Sequence, residues 1–290
     1  MSLLLSGWNR RLITVRNYRD ELDRFPSIQS NKLIVYFTNF TYKILNFEKV
    51  IKNSSSRYFN TLFYAPGLRY NRSFTMTTTS VWKPEDHVPQ EVKDLLSSSD
   101  QNHVLAFMHV VELLKVQKRT GWLDHNIKEC ESIADHMYRM GITSMLITDP
   151  AVNRDKCVRI AMVHDIAESL VGDITPFDPV GKEEKHLREL ATINYLCEEL
   201  VKPYNPVAAQ EILDDWLAYE NIGSLEARYV KDIDKFEMLV QCFEYEKRAG
   251  GKRDLNQFWD AIKSIKTEEV QGWARNLVQK REAFYSNLSN

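Results

Sequence analysis

Residues 161–176 read AMVHDIAESLVGDITP. His164 and Asp165 stand side by side in an apolar run, and Glu168 follows one helical turn later. On a period of about 3.6 residues, Glu168 falls four positions after His164 and three after Asp165, so one helix face can gather all three. Gly172 then breaks the helix, and Asp173 projects from the turn before Thr175-Pro176. Burying three carboxylates close together is unfavourable unless a cation or a proton compensates. A metal centre is the simplest compensation. For the His-Asp dipeptide alone, a capped helix with a solvated polar face competes with that reading.

Three further segments add weight to the metal reading. ESIADH (131–136) offers His136 on a helical segment, and KDIDKFEMLVQ (231–241) offers Asp232 and Asp234 in apolar surroundings. KRTGWLDHN (118–126) puts Arg119 and Trp122 at the end of another helix. Two histidines and two aspartates from three separate helices make a ligand set for a transition metal with open coordination positions. On their own, Trp122 reads as core and Arg119 as a surface charge.

RTGW, ESIADH, AMVHDIAESLVGDITP and VKDIDKFEML, in this order, resemble the HD-domain metal-dependent phosphohydrolases, and more closely their 5′-deoxynucleotidase branch. The resemblance covers residues 100–285. It implies an all-α helical bundle in which His136, His164, Asp165 and Asp234 hold a divalent cation such as Mn, Co, Mg, Zn or Fe. Asp234 is chosen over Asp232 because it matches the family pattern. The resemblance also implies a second cation near Glu168, Asp173 and the carbonyl of Ile174; the alternative leaves Glu168 and Asp173 free to act on protons and water as catalytic groups. Arg119 is expected to pair with the substrate phosphate, and Trp122 to restrict the sugar in favour of deoxyribose. The implied reaction is hydrolysis of a deoxyribonucleoside 5′-monophosphate by a homodimer. Two alternatives stay open: another HD phosphohydrolase acting on cyclic nucleotides or triphosphates, and a non-catalytic, metal-stabilised binding protein.

Composition fits a soluble globular chain: 290 residues, 43% hydrophobic, 27% charged, net charge −2. The balance shows no footprint for a nucleic-acid polymer or a membrane surface. Cys130, Cys157, Cys197 and Cys242 are widely spaced in helical patterns, as expected of reduced, buried thiols in an intracellular protein. The charge is uneven: residues 1–75 hold twelve Lys and Arg against four acidic residues, a net of +8. The apolar stretch 33–47 is too short and too interrupted to span a bilayer. Residues 1–75 therefore read as a basic extension ahead of a domain at 76–290. A mitochondrial presequence, a disordered or loosely attached extension, and a dispensable segment outside the working protein are the readings of it, with a folded domain the least favoured. Cytoplasmic location is expected, or mitochondrial if the extension is a presequence.

From Val88 onward helical periods dominate. Helices are expected over 101–118, capped by Ser99 or Asp100 and buried along Val104, Phe107, Met108, Val111 and Leu114; over 127–147, buried along Ile133, Met137, Met140, Met145 and Leu146; and over 153–171, continuous through His164 and Glu168. Further helices are expected over 182–200, 207–220, 225–248 and 255–284. Lys185 and His186 read as part of a solvated charged face, with the mouth of the site as the alternative. Strand alternation and a Gly-rich phosphate loop are absent from this region, which argues against a Rossmann or P-loop site.

Overall fold

The structure, a computed structural model, describes residues 82–288, and the expected boundary at residue 75 lies outside them. The described residues are helical throughout, with a single isolated bridge between Lys118 and Ser132 and no strand. Two short helices, α1 (Pro84–His87) and α2 (Gln90–Ser97), precede α3 (His103–Val116) and α4 (Thr120–Asp124). Then come α5 (Ile133–Ser144), α6 (Arg154–Val163), α7 (Glu168–Val171) and α8 (Lys182–Tyr195). The chain ends with α9 (Pro206–Asn221), α10 (Leu225–Arg248), a 3₁₀ segment (Asn256–Ser264) and α11 (Glu268–Leu288).

Local chemistry sets the helix starts. Ser132 and Asp135 form a reciprocal capping box, the Ser132 hydroxyl accepting from the Asp135 amide at 3.1 Å and the Asp135 carboxylate accepting from the Ser132 amide at 2.8 Å. This box starts α5 at Ile133, later than the expected 127. Asn153 caps α6, Asn205 caps α9 ahead of Pro206, and Ser224 caps α10. Asn102, rather than Ser99 or Asp100, caps α3.

Helix α6 is the hub, packed by α5, α9 and α10. One apolar cluster joins α2, α3, α5, α8 and α9 through Val92, Val110, Leu114, Met137, Ile193 and Trp216. A second joins α5, α6, α10 and α11 through Met140, Ile160, Ile233, Leu239 and Val270. The expected stripe on α3 is rotated: Ala106, Val110 and Leu114 are buried, whereas Val104 and Met108 are exposed. HVLAFMHVVELLKV is apolar around most of its circumference, so its pattern does not single out the buried face. On α5, Ile133, Met137 and Met140 are buried as expected, but Met145 and Leu146 lie beyond the helix end and are exposed.

The expected continuous helix over 153–171 is broken. Helix α6 stops at Val163, and the next residues form tight turns in which Ile166 N–H donates to Val163 O and Glu168 N–H donates to Asp165 O. These three-residue steps replace the four-residue steps of an α-helix. Gly172 has φ +84°, a conformation open to glycine, and sends the chain away after α7.

A candidate metal centre

Three mutually packed helices bring the expected ligands together. His136 comes from α5, His164 from the end of α6 and Asp234 from the middle of α10. One ligand atom from each of these residues lies within 4.8 Å of the others. The break after α6 brings Asp165 in as well. Its Oδ2 is 3.0 Å from His164 Nε2 and 4.0 Å from His136 Nε2. Neighbouring residues on a regular helix point about 100° apart, so the tight turns are what let His164 and Asp165 share one site.

Both imidazoles are buried with fixed tautomers. His164 Nδ1 lies 2.9 Å from the Ala161 carbonyl, so it carries the proton and donates. His136 Nδ1 meets Glu237 Oε2 at 2.5 Å. Each ring therefore presents Nε2 to the group, and neither Nε2 has a hydrogen-bond partner. Buried polar atoms are rarely left unpaired in folded proteins. Two unpaired imidazole nitrogens facing two carboxylates are the donor set of a divalent cation, so these residues fit a metal. Burial and Arg119 both oppose a proton on His136, yet Asp234 and Glu237 raise it to about 10, so without an ion these anions favour a proton at the place a divalent cation would take. Burial works against charge on Asp234 and Asp165, but the histidines and Arg119 hold both well below the usual carboxylate range.

The remaining expected residues line up around this group. Arg119 Nη1 is 3.3 Å from Asp165 Oδ2. Burial disfavours its charge, and Asp165, Asp173, Asp234 and Glu168 more than offset that. Arg119 does not end a helix running into a loop. Helix α3 has already finished at Val116, and Arg119 is the cap residue of α4. Asp173 accepts from the Thr120 amide at 2.7 Å and so ties the loop after α7 to the start of α4. Glu168 is buried; burial, Asp165 and Asp173 push it well above its ordinary range, with Lys185 and Arg119 opposing. Trp122 is 2% exposed and sits in a third apolar cluster with Cys130, Tyr245 and Leu255. Its indole N–H donates to Glu131 at 3.0 Å, and its ring lies against Phe258. In this conformation the ring offers almost no surface to a ligand.

Asp232 points elsewhere. Its buried carboxylate accepts from the Lys266 and Thr267 amides at 2.8 and 2.7 Å, anchoring the start of α11. His103 and His109 belong to no ligand group among the described residues, and His109 pairs with Glu91. All four cysteines are free and buried. No helix of the described residues is long and apolar enough to cross a membrane.

Two site residues, Tyr219 and Glu237, escaped the reading of the sequence, and Lys185 takes the alternative to the solvated face favoured for it. Tyr219 on α9 donates its hydroxyl to Asp234 Oδ2 at 2.8 Å. Lys185 on α8, expected on a solvated face, instead reaches Glu168 Oε1 at 3.2 Å and the Ile174 carbonyl at 3.0 Å. Glu237 lies on α10 one turn after Asp234 and bridges His136 to Arg139, whose Nε donates to it at 2.5 Å. The three-residue spacing from Asp234 to Glu237 is the signal that could have found it. Glu237→Gln is expected to weaken divalent-metal binding by about 10- to 100-fold, because the carboxylate that sets the His136 tautomer is lost. Calorimetric titration with Mn²⁺ measures this; unchanged affinity would show that Glu237 serves packing alone.

Comparisons with known proteins point to one family. A family model described as HD domain matches residues 111–273. The 5′-deoxynucleotidase YBR242W of Saccharomyces cerevisiae is 64% identical over 211 residues, covering 73% of this chain and 89% of that protein. The 5′-deoxynucleotidase YGK1 of the same yeast is 60% identical over 213 residues, covering 73% and 99%. The solved structure of the HD domain-containing protein YGK1 aligns with a TM-score of 0.57 at 51% identity, covering 70% of this chain and 99% of that one. A match over more than half of the chain, with relatives this similar across most of their own length, places the protein in the HD-domain family, among the 5′-deoxynucleotidases.

Proposed function

We propose that the protein hydrolyses deoxyribonucleoside 5′-monophosphates to deoxynucleosides and inorganic phosphate, using a divalent cation held by His136, His164, Asp165 and Asp234. The observation that carries this reading is the pair of unpaired Nε2 atoms turned toward Asp165 and Asp234, with Arg119 at the edge. Relatives named 5′-deoxynucleotidases support the substrate class. The mixed imidazole and carboxylate set suits Mn, Co, Mg, Zn or Fe.

When bound, such a cation supplies the positive charge that makes water acidic enough to attack phosphorus near neutral pH and that offsets charge on the phosphoryl oxygens. The chain's own groups do the rest. Arg119, oriented by Asp165, turns its planar fork to two phosphate oxygens and aligns the ester for in-line displacement. Asp173 fixes the Thr120 amide and with it the turn that carries Arg119. Glu168, buried with Oε2 free of any hydrogen bond, takes a proton from the attacking water or hands one toward the leaving 5′ oxygen. Trp122 restricts the sugar, a role that requires its indole, 2% exposed in this conformation, to bare an edge when substrate binds. The assembly we propose is a homodimer, to which the exposed Val104, Leu105 and Met108 of α3 offer an apolar surface.

The test is phosphate release by metal-reconstituted protein from a deoxynucleoside 5′-monophosphate, its ribose counterpart, a triphosphate and a cyclic nucleotide. The deoxynucleotide is expected to be cleaved about 10-fold or more faster than the ribonucleotide, in line with steric discrimination worth about 1–3 kcal/mol. Preference for the cyclic nucleotide or the triphosphate would reassign the enzyme within its family, and metal binding without turnover on any substrate would make it a binding protein.

A further inference from the structure

Two of the three groups proposed for a second cation, Glu168 and the Ile174 carbonyl, already have one, while Asp173 is turned to the Thr120 amide. Lys185 enters from the first turn of α8, its side chain 30% exposed and that of Glu168 only 4%. Its ammonium meets Glu168 Oε1 at 3.2 Å, the Ile174 carbonyl at 3.0 Å and Glu189 Oε1 at 3.4 Å. The ammonium thus makes two hydrogen bonds and one ion pair with the groups around it. A buried carboxylate beside a backbone carbonyl is also the hard-oxygen set that Mg²⁺ or Mn²⁺ takes, and Glu168 Oε2 has no partner in the described structure. Two cations cannot share this cradle, because like charges at such separations repel strongly out of water.

We propose that Lys185 is a tethered cation resident in the Glu168–Ile174 cradle, and that a divalent ion enters there only by displacing the Lys185 ammonium. Glu189, one turn further along α8, gives the displaced ammonium a partner without unfolding anything. The site then carries positive charge beside Glu168 whether or not the second ion is present, and ion loading becomes an exchange. This deepens the proposed function and rests on it for the identity of the tighter site.

The experiment is a Mn²⁺ titration of the full chain at pH 8, followed by calorimetry and by the electron paramagnetic resonance signal of free Mn²⁺. Wild-type protein should bind one ion at the His164 group and a second at least about tenfold more weakly, as expected when the competent state is about a tenth populated or less. Lys185→Met should tighten the second event by about tenfold or more and leave the first within about twofold, whereas Lys185→Arg, which keeps the charge, should leave the second weak. Equal affinities in the wild type, or a second event in Lys185→Met that is absent, unchanged or weaker, would overturn the proposal. The wild-type result does not depend on how a variant folds. His164→Ala should abolish the first event alone; if it keeps both, the reading of the metal centre fails instead.

Discussion

His164→Ala is expected to lose both its tightly held divalent ion and phosphate release, the rate falling by at least about 10³-fold. The size follows from charge stabilisation worth several kcal/mol, at about 1.4 kcal/mol per tenfold in rate. His164 contributes one of two unpaired imidazole nitrogens, and its ring packs on Tyr219, 4.8 Å between centroids. Removing it leaves His136, Asp165 and Asp234, an incomplete set of one imidazole and two carboxylates. Metal content of the purified protein and single-turnover phosphate release measure the two losses. A variant that turned over at the wild-type rate would show that the centre lies elsewhere. Because Nδ1 bonds only a carbonyl within its own helix, the helical circular-dichroism signal should persist and separate loss of the ion from loss of the fold.

Arg119→Ala is expected to keep its metal and lose about 10²- to 10³-fold in kcat/KM, the usual consequence of deleting one preorganised donor to a developing oxyanion. Arg119 touches Asp165 through Nη1 alone among the contacts seen, and Asp165 keeps His164 at 3.0 Å when the guanidinium is gone. The ligand set therefore survives the change. Arg119→Lys should recover only part of the loss, since an ammonium is a point charge without the fork that grips two oxygens. Equal loss of metal and activity in Arg119→Ala would recast the residue as a support for Asp165.

Much of this architecture is legible in the sequence because helical periodicity and capping chemistry are local. The Pro206 and Ser224 starts and the Gly250-Gly251 stop bracket α9 and α10 closely. His136 and His164 are recoverable because polar ligands stand out against apolar neighbours, whereas Asp234 is told from the nearby Asp232 only by the family resemblance; the structure brings all three into one group. What the pattern hides is tertiary. The tight turns after Val163 come from backbone bonds that a hydrophobic period does not encode, so the broken helix reads as continuous. The inward reach of Lys185 depends on where α8 lies over the loop after Gly172, and from the sequence KEEKHLREL is an ordinary charged face. Trp122 is similar: its neighbours Tyr245 and Phe258 are more than a hundred residues away in the chain.

Helix α10 carries three unrelated duties on less than two turns. Asp232 moors the amides that open α11, Asp234 faces the histidine pair, and Glu237 governs the tautomer of His136. Each extra residue in a helix rotates everything beyond it by about 100° and advances it by about 1.5 Å. An insertion or deletion between 232 and 237 would therefore break the phase among all three at once, a defect that no side-chain adjustment could repair. Length variation in this protein has to be absorbed in its connecting loops, such as 173–181, and this rod behaves as a ruler with fixed graduations.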